Sequence, residues 1–600
     1  RGWRPFSGSL DATTARGGRG ATSNALFVPH DRRIPRVRVR TRQLATLATQ
    51  RIVVVIDSWS TTSRWPDGHY IRTLGAAGDK ATETEVLLVE NDINTNPFTE
   101  AVYACLPNLP WDSAADEIGK QDREDFRKEL IFSVDPPGCR DIDDALHVKE
   151  LPNGNYQLGV HIADVTHFLH PGTAMDDEAA DRCTTVYLVD NRIDMLPKAL
   201  TEDICSLRSN VERLAFSCIW EVDREANILS TRYTKSVIKS VAAMTYQEAQ
   251  TRMDDLRLND DITIACRTMN RLAKCLRARR MAAGALELAS PEVKFKIDTE
   301  TLDPLDVGMY QVREANQMVE EMMLMANISV AEKILQHYPT WALLRRHQVP
   351  TPQMYEPLLK AAAAVGITLD VSSSKTLAET LNQAHLPHDP YFNKMIRILA
   401  TRCMTQAQYF CSGELTVPEM HHYGLAAPLY THFTSPIRRY ADVVVHRLLG
   451  AAIGISKLPH QLTDKTLIRA VSDQINYRHR NAQMAGRASV ELYTLIFFKD
   501  RTAVTDARII KVRQNAVVVF VPKYGIEGVV WLVQKGQTEA SKQFALDMDK
   551  QRVQSADGSR TFTIFDKVWV KISIENLPPH GRRLAIALVD EPKSGGDDAA

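Results

Sequence analysis

The sequence predicts a multidomain protein of mixed α/β and β class, in which small β-barrels flank a large mixed α/β body. Three observations carry this. A chain of 600 residues exceeds what one hydrophobic core usually holds, so several domains are expected. Short β-like runs separated by turn residues occupy both ends, as they do in small barrels or sandwiches. Between them strands come first and long helical segments follow. The composition is that of a folded chain, 44% hydrophobic and 24% charged, with mean hydropathy −0.24. No run of about 18 apolar residues occurs, so no transmembrane helix is expected. Nine scattered cysteines with no CxxC argue for a reducing compartment and against a zinc site. The opening "RGWRPFSG" has no initiator Met or signal-peptide pattern, which suggests a start inside a longer protein.

In chain order, residues 1–23 are rich in Gly, Ser, Thr and Arg and read as the end of a preceding domain. From Ala25 to about Leu106 the runs "ALFVP", "RVRVRT", "RIVVVIDSW", "HYIRTLG" and "TEVLLVE" predict the strands of one small β domain. The stretch around 107–120 is a linker, continued by the charged "ADEIGKQDREDFRKEL". The body spans 121–500. Its strands include "YQLGVHIADV" and "LAFSCIWEV", and helices are predicted over 310–338 and 466–500. Residues 501–590 return to strong alternation and predict a second β domain. The last ten residues, 591–600, read as a disordered tail.

Net charge is zero, so bulk charge does not announce a nucleic-acid binder, but its distribution says more. Residues 1–50 hold ten arginines against Asp11 and Asp31. Within them Arg36, Arg38, Arg40 and Arg42 recur at period two, which in a strand puts four guanidinium groups on one face. A solvated edge strand protected by charge would look similar. Arginine with no interleaved acid is better suited to phosphate, which it grips bidentately.

The stretch "VDPPGCRDIDDALHV" (134–148) places Asp135, Asp141, Asp143 and Asp144 within ten positions, among apolar residues. An EF-hand loop counted from Asp141 would need an oxygen ligand and then Gly where Ala145 and Leu146 stand, so that reading fails. A phosphoaspartate hydrolase would carry its Asp pair directly after an apolar strand, whereas "PPGCR" intervenes. A plain acidic surface loop explains neither the Pro-Pro-Gly turn nor the apolar flanks. Converging carboxylates match hard cations such as Mg²⁺ or Mn²⁺, which take oxygen ligands and keep waters for substrate phosphate. Two such ions about 4 Å apart would activate a water and stabilise the leaving oxygen of a phosphodiester.

"YTHFTSPIRRYADVVVHRLLG" (430–450) supplies a second signal. It predicts a helix capped by Thr434 or Ser435 with Pro436 at its first position. Arg438 and Arg439 then fall in the first turn, where the helix dipole disfavours cations, and together with free backbone N–H groups they suit an anion. An internal Arg438–Asp442 pair at i, i+4 would explain one arginine but not both.

The aspartate stretch, "GVHIADVTHF" (159–168), "VYLVDNRIDMLP" (186–197), "CSLRSNVERLAFS" (205–217), "LLRRH" (343–347) and "FTSPIRRYADVVVHR" together resemble the ribonuclease II, or RNB, family of 3′ to 5′ exoribonucleases. The resemblance runs over nearly the whole chain. It is nearest to the eukaryotic exosome-associated branch through "RRIPRVRVRTRQ", "RIVVVIDSW" and "QMAGRASVELYT". It implies OB-type barrels around an RNB catalytic domain: a cold-shock OB domain over 24–106, the RNB domain over 121–500 and an S-one-type OB domain over 501–590. That branch also carries an N-terminal PIN endonuclease and a first cold-shock domain. By the resemblance the PIN domain is absent and residues 1–23 are a remnant of that first cold-shock domain.

The resemblance further implies that Asp135, Asp141, Asp143 and Asp144 are catalytic and bind two Mg²⁺ ions, with Mn²⁺ able to substitute, and that Asp143 is the least dispensable. Tyr187 matches the tyrosine that stacks on the 3′-terminal base, and Arg438 the arginine at the scissile phosphate. Arg439 and Arg487 join the RNA-binding set with the four-arginine face. Bacterial relatives have Glu before the arginine where this chain has Gly486, so that glutamate's role does not transfer. The implied activity is processive release of nucleoside 5′-monophosphates from single-stranded RNA. The implied partners are RNA and the exosome core or its cofactors, with no membrane. The implied location is the nucleus, including the nucleolus, with the cytoplasm as an alternative. A catalytically silent RNA-binding scaffold and a metal-dependent DNA exonuclease remain as rivals.

Overall fold

The computed structural model describes residues 4–16, 23–118, 120, 123–289, 293–298, 304–309, 312–533, 543–577 and 581–591. Five strands near the start of the chain, β1 (Phe6–Arg16), β2 (Ser23–Pro29), β3 (Val37–Thr41), β4 (Gln50–Ser58) and β5 (Asp67–Ala76), close into one barrel in the order β1-β2-β3-β5-β4. Their period-two apolar residues fill it: Phe27, Val37, Val39, Ile52 and Val54 are buried together. Two expectations change here. Phe6–Arg16 is not a fragment of an earlier domain, because it pairs with both β2 and β4 and completes this barrel's closure. A barrel without it would leave two open ladder edges. "TEVLLVE" is helical, within Lys80–Glu90. Asp79 caps that helix by accepting from the Thr82 N–H, and Thr82, Val86 and Leu87 recur on one side at helical spacing.

The body is built on a seven-stranded sheet formed by β6 (Glu124–Asp125), β7 (Phe132–Asp135), β8 (Asp144–Glu150), β9 (Tyr156–Ala163), β12 (Glu212–Val222), β13 (Ile228–Lys239) and β14 (Ala242–Thr245), in the order β14-β7-β8-β9-β12-β13-β6. A hairpin of β10 (Val186–Tyr187) and β11 (Arg192–Ile193) stands apart from it. Helices Glu314–His337 and Tyr440–Ala452 cover the sheet. The second is buried all round from Tyr440 to Gly450, as a helix inside a large core must be. Trp220, Phe132, Phe216 and Phe433 are fully buried in this core.

The stretch after 120 is not a loose linker. Arg123 is buried and its Nη2 reaches Asp164 Oδ2 at 2.6 Å. The second long helix runs Lys465–Phe497. The C-terminal unit is a five-stranded sheet, Ile526–Trp531, Ala516–Val521, Ala503–Arg513, Lys567–Leu577 and Gly581–Val589 in ladder order. Its two outer strands meet so closely that a Cβ on Gly528 would come within 2.4 Å of Ile586 Cδ1. That is the shape of a small, nearly closed barrel. The tail expected at 591–600 lies, except for Glu591, outside the described residues. No helix among the described residues is long and apolar enough to cross a membrane.

Candidate active site

Asp135 ends β7 and Asp144 begins β8, so a single turn of chain gathers the four aspartates at one end of the central strands. The turn needs Gly138, whose φ of +78° a side chain would resist. The "CSLRS" segment holds the loop in place. Ser206 Oγ accepts from the Ile142 N–H at 3.1 Å and donates to the Arg140 carbonyl at 2.7 Å, and the Leu207 N–H donates to the Ile142 carbonyl at 3.0 Å. Asp143 faces the "SPIRR" segment. Its Oδ1 accepts from the Ile437 N–H at 2.9 Å, and its Oδ2 lies 3.4 Å from Arg438 Nε.

Asp141 is held from the β10–β11 hairpin. Its Oδ1 pairs with Arg192, and its Oδ2 accepts from the Tyr187 hydroxyl at 3.4 Å. Tyr187 and Arg192 are opposite one another in the hairpin. Arg192 also grips Asp194 at 2.8 Å and Glu202 at 2.7 Å, so one guanidinium organises three carboxylates. Sequence reasoning missed Arg192. Its signal was present in "VDNRID", an arginine between two aspartates inside a motif already singled out. The ring of Tyr187 stays 47% exposed, open to a planar ligand.

Asp135, Asp143 and Asp144 sit where ionisation is costly. Burial pushes Asp135 up to about 6, with neighbouring Asp141 adding to the rise. Burial likewise pushes Asp143 up to about 7 against the pull of Arg438. Asp144 is raised well above its ordinary value by burial and by Asp135 and Asp143. Asp135 Oδ2 is buried with no hydrogen-bond partner. An oxygen-only donor set with an orphaned oxygen and mutually repelling charges is what a hard divalent cation relieves. Among the described residues no group of three or more His, Cys, Asp or Glu is arranged to hold a metal ion.

Comparison with known proteins decides the family. Residues 123–455 match the family described as the RNB domain. The chain belongs to the RNB family. Residues 24–92 match the Dis3-like cold-shock domain 2, and residues 503–585 match an S1 domain, so the RNB domain lies between two OB-type units. The chain is 59% identical over 589 residues to the Arabidopsis thaliana protein named Exosome complex exonuclease RRP44 homolog A, covering 98% of this chain and 63% of that one. It is 50% identical over 597 residues to the Homo sapiens Exosome complex exonuclease RRP44, covering 99% of this chain and 61% of that one. The chain thus spans about three fifths of the length of these relatives. The apo form of Mycoplasma genitalium RNase R shares the fold with TM-score 0.82 at 22% identity, over 98% of this chain and 90% of that one. Yeast Ssd1, described as a pseudonuclease, shares it with TM-score 0.77 at 20% identity, over 98% and 83%.

The RNB domain departs from the sequence expectation at its arginine pair. The helix begins at Tyr440, not at Ser435 or Pro436, and Arg439 is its N-cap. Residues before it are drawn off to other partners: Arg439 bridges to Thr184, and the Ser435 N–H donates to Asp442 at 2.7 Å. There is therefore no helix N-terminus beneath Arg438, and its anion partner in the free protein is Asp143. Arg439 is consumed by a bidentate pair with Asp442, 2.8 Å on both arms. The Arg438–Asp442 pair considered from the sequence is not formed among the described residues; Asp442 pairs at i, i+3 with the neighbouring arginine instead. Arg438 stays 42% exposed.

The remaining RNB-family positions scatter. Arg487 is exposed on the long helix. Beside it, a Cβ on Gly486 would lie 3.2 Å from the Tyr187 carbonyl, so glycine lets helix and hairpin approach. The arginine face keeps its alternation, with Val37 and Val39 buried. Arg36 and Arg38 are partnered, 3.5 Å from Asp11 and 3.3 Å from Asp67, while Arg40 and Arg42 are exposed.

Proposed function

We propose that this chain is a processive 3′ to 5′ exoribonuclease that removes nucleoside 5′-monophosphates from single-stranded RNA. The observation that supports it best is one constellation: four clustered aspartates with Asp143 buried among them, a half-exposed Arg438 ion-paired to Asp143, and the open Tyr187 ring on Asp141. The fold cannot carry this alone, since an RNase R and a pseudonuclease share it; the retained carboxylates favour the enzyme over the silent scaffold. Asp135, Asp141, Asp143 and Asp144 would hold two Mg²⁺ ions, or Mn²⁺ in their place. When bound, such ions supply an activated water and stabilise the leaving oxygen of a phosphodiester. The chain's own residues do the positioning. Arg438 can swing from Asp143 to a phosphate, where its planar fork fits bidentately. Arg192 keeps Asp141 oriented. Tyr187 offers a stacking platform worth about 1–3 kcal/mol per base. The names of its relatives support work with the exosome; a role in RNA processing and decay, in the nucleus and also the cytoplasm, is part of this proposal.

The test is the product pattern with Mg²⁺. RNA labelled at its 3′ end should release labelled mononucleotide from the first turnover. RNA labelled at its 5′ end should keep its label until a short end product is reached, and the matching DNA should resist. A ladder of internal cuts, or equal loss of DNA, would overturn the reading. In the same ladder Tyr187→Ala should lengthen the final product, because short oligonucleotides lose the stacking that retains them. An unchanged end product would make Tyr187 a hairpin-packing residue only.

The barrel face gives a separate prediction. Arg40 and Arg42 have no ion-pair partner among the described residues, so Arg40→Gln with Arg42→Gln should flatten the slope of log affinity against log salt by roughly one to two units. Cleavage of a short oligonucleotide should hardly change. An unaltered slope with weakened exosome binding would assign the face to a protein partner.

A further inference from the structure

The "LLRRH" motif has no part in the site described so far. Leu343–Arg346 pairs antiparallel with Gln408–Cys411, and the register sets Arg345 opposite Tyr409. Two of its three polar residues are spent locally. His347 accepts from the Gly424 N–H through Nδ1 at 3.1 Å and donates through Nε2 to the Thr405 carbonyl at 2.9 Å. Arg346 donates to the Glu419 carbonyl at 3.3 Å. Arg345 is different. Its guanidinium lies over the Tyr409 ring, 4.7 Å from the centroid, and its buried Nη1 has no hydrogen-bond partner. No carboxylate among the described residues forms an ion pair with it. A half-buried cation with a buried nitrogen left unbonded and no counter-charge is costly.

The surroundings of Arg345 are cationic. The Tyr409 hydroxyl hydrogen-bonds His432 Nδ1. His432 is held neutral first by burial and then by Arg439, Arg345, His479 and Arg438, which all face it. His479 projects from the long helix and faces Arg345 and Arg439 in turn. The nearby carboxylate, Asp442, is already neutralised by Arg439. Arg345, His432, Arg439 and His479 are half-buried rather than sealed in the core, so this wall is open to a ligand. Arg438 lies within electrostatic reach of both His432 on this wall and Tyr187 in the hairpin.

We infer that Arg345, His432 and His479 form a phosphate subsite for an internucleotide linkage of the RNA strand, on the 5′ side of the linkage that faces Arg438. The inference rests on the exoribonuclease reading. If Tyr187 takes the terminal base and Arg438 the scissile phosphate, the strand's continuation passes the wall beyond Arg438. There one guanidinium nitrogen lacks a hydrogen-bond partner among the described residues, and His432 and His479, each engaged through one ring nitrogen by Tyr409 and Gln483, can donate from the other.

The experiment uses the full chain carrying Asp143→Asn, which is expected to hold RNA without cutting it. Single-stranded RNA of roughly ten nucleotides is made with one neutral methylphosphonate linkage, moved stepwise from the 3′ end, and its affinity is measured at each position. One internal linkage should cost about tenfold. Adding Arg345→Gln should reduce that cost to about twofold or less while leaving the costs at other positions unchanged, a coupling that a merely structural role would not produce. Arg345→Lys, which keeps the charge, should retain most of the sensitivity, and His479→Gln should reduce it in part. Those two carry the test if Arg345→Gln does not fold. Equal costs at every position with and without Arg345 would overturn the subsite. Failure of the Asp143→Asn chain to bind any unmodified RNA would instead overturn the exoribonuclease reading.

Discussion

Asp143→Asn should lower RNA hydrolysis by roughly 10³-fold or more, equivalent to about 4 kcal/mol of transition-state stabilisation, while RNA affinity changes by about twofold at most. The substitution is nearly isosteric. Asn Oδ1 can keep accepting from the Ile437 N–H, so the "SPIRR" segment stays seated. What is lost is a charge in the middle of the carboxylate cluster, where a cation would be held. Tyr187, Arg438 and the barrel face remain, and they supply most of the grip. Stability should hold or rise slightly, because burial already pushes the Asp143 carboxyl up to about 7, and a neutral amide avoids that desolvation cost. Single-turnover cleavage and filter binding measured together check this. Hydrolysis within tenfold of the parent would remove Asp143 from the chemistry.

The largest stability effect should come from Asp164. Its side chain is wholly buried between Arg123, also wholly buried, and Lys235, 8% exposed. Arg123 Nη2 meets it at 2.6 Å, and Lys235 Nζ meets the other oxygen. Burial alone would raise its pKa, but Lys235 and Arg123 outweigh it and hold the carboxyl far below the ordinary range. Asp164→Ala leaves two cations in the core without an anion and should cost about 3–5 kcal/mol, a large part of what a domain has. Urea unfolding monitored by core tryptophan fluorescence would read it. A loss below about 1 kcal/mol would show that water or a neighbour compensates. Because the folded-state pKa is lowered, the stabilisation is present above the unfolded carboxylate pKa of about 4. It disappears only in strong acid, as pH falls through the folded value. Activity should fall too, since the Ala163 N–H beside Asp164 donates to the Asp143 carbonyl at 2.8 Å.

By itself the sequence determined the order of the domains, the two long helices, the sheet strands around 156–163 and 212–222, the aspartate cluster, and the alternation that buries Val37 and Val39. These are written in local periods and in motifs of a few residues, which need no knowledge of distant partners. Tertiary structure decided the rest. Phe6–Arg16 belongs to the barrel only because β4, far along the chain, needs a neighbour. The helix after "SPIRR" starts at Tyr440 because Thr184 and Asp143 compete for the backbone that would have formed its first turn. Arg438 and Arg439 look alike in the sequence, yet one is spent on Asp442 and the other left available beside Asp143. Arg192 and Arg345 show the same division in reverse, the first gathering three acids and the second finding none. A side chain's charge is local information. Whether that charge is neutralised, and by what, depends on which residues from elsewhere in the chain are packed within a few ångströms of it.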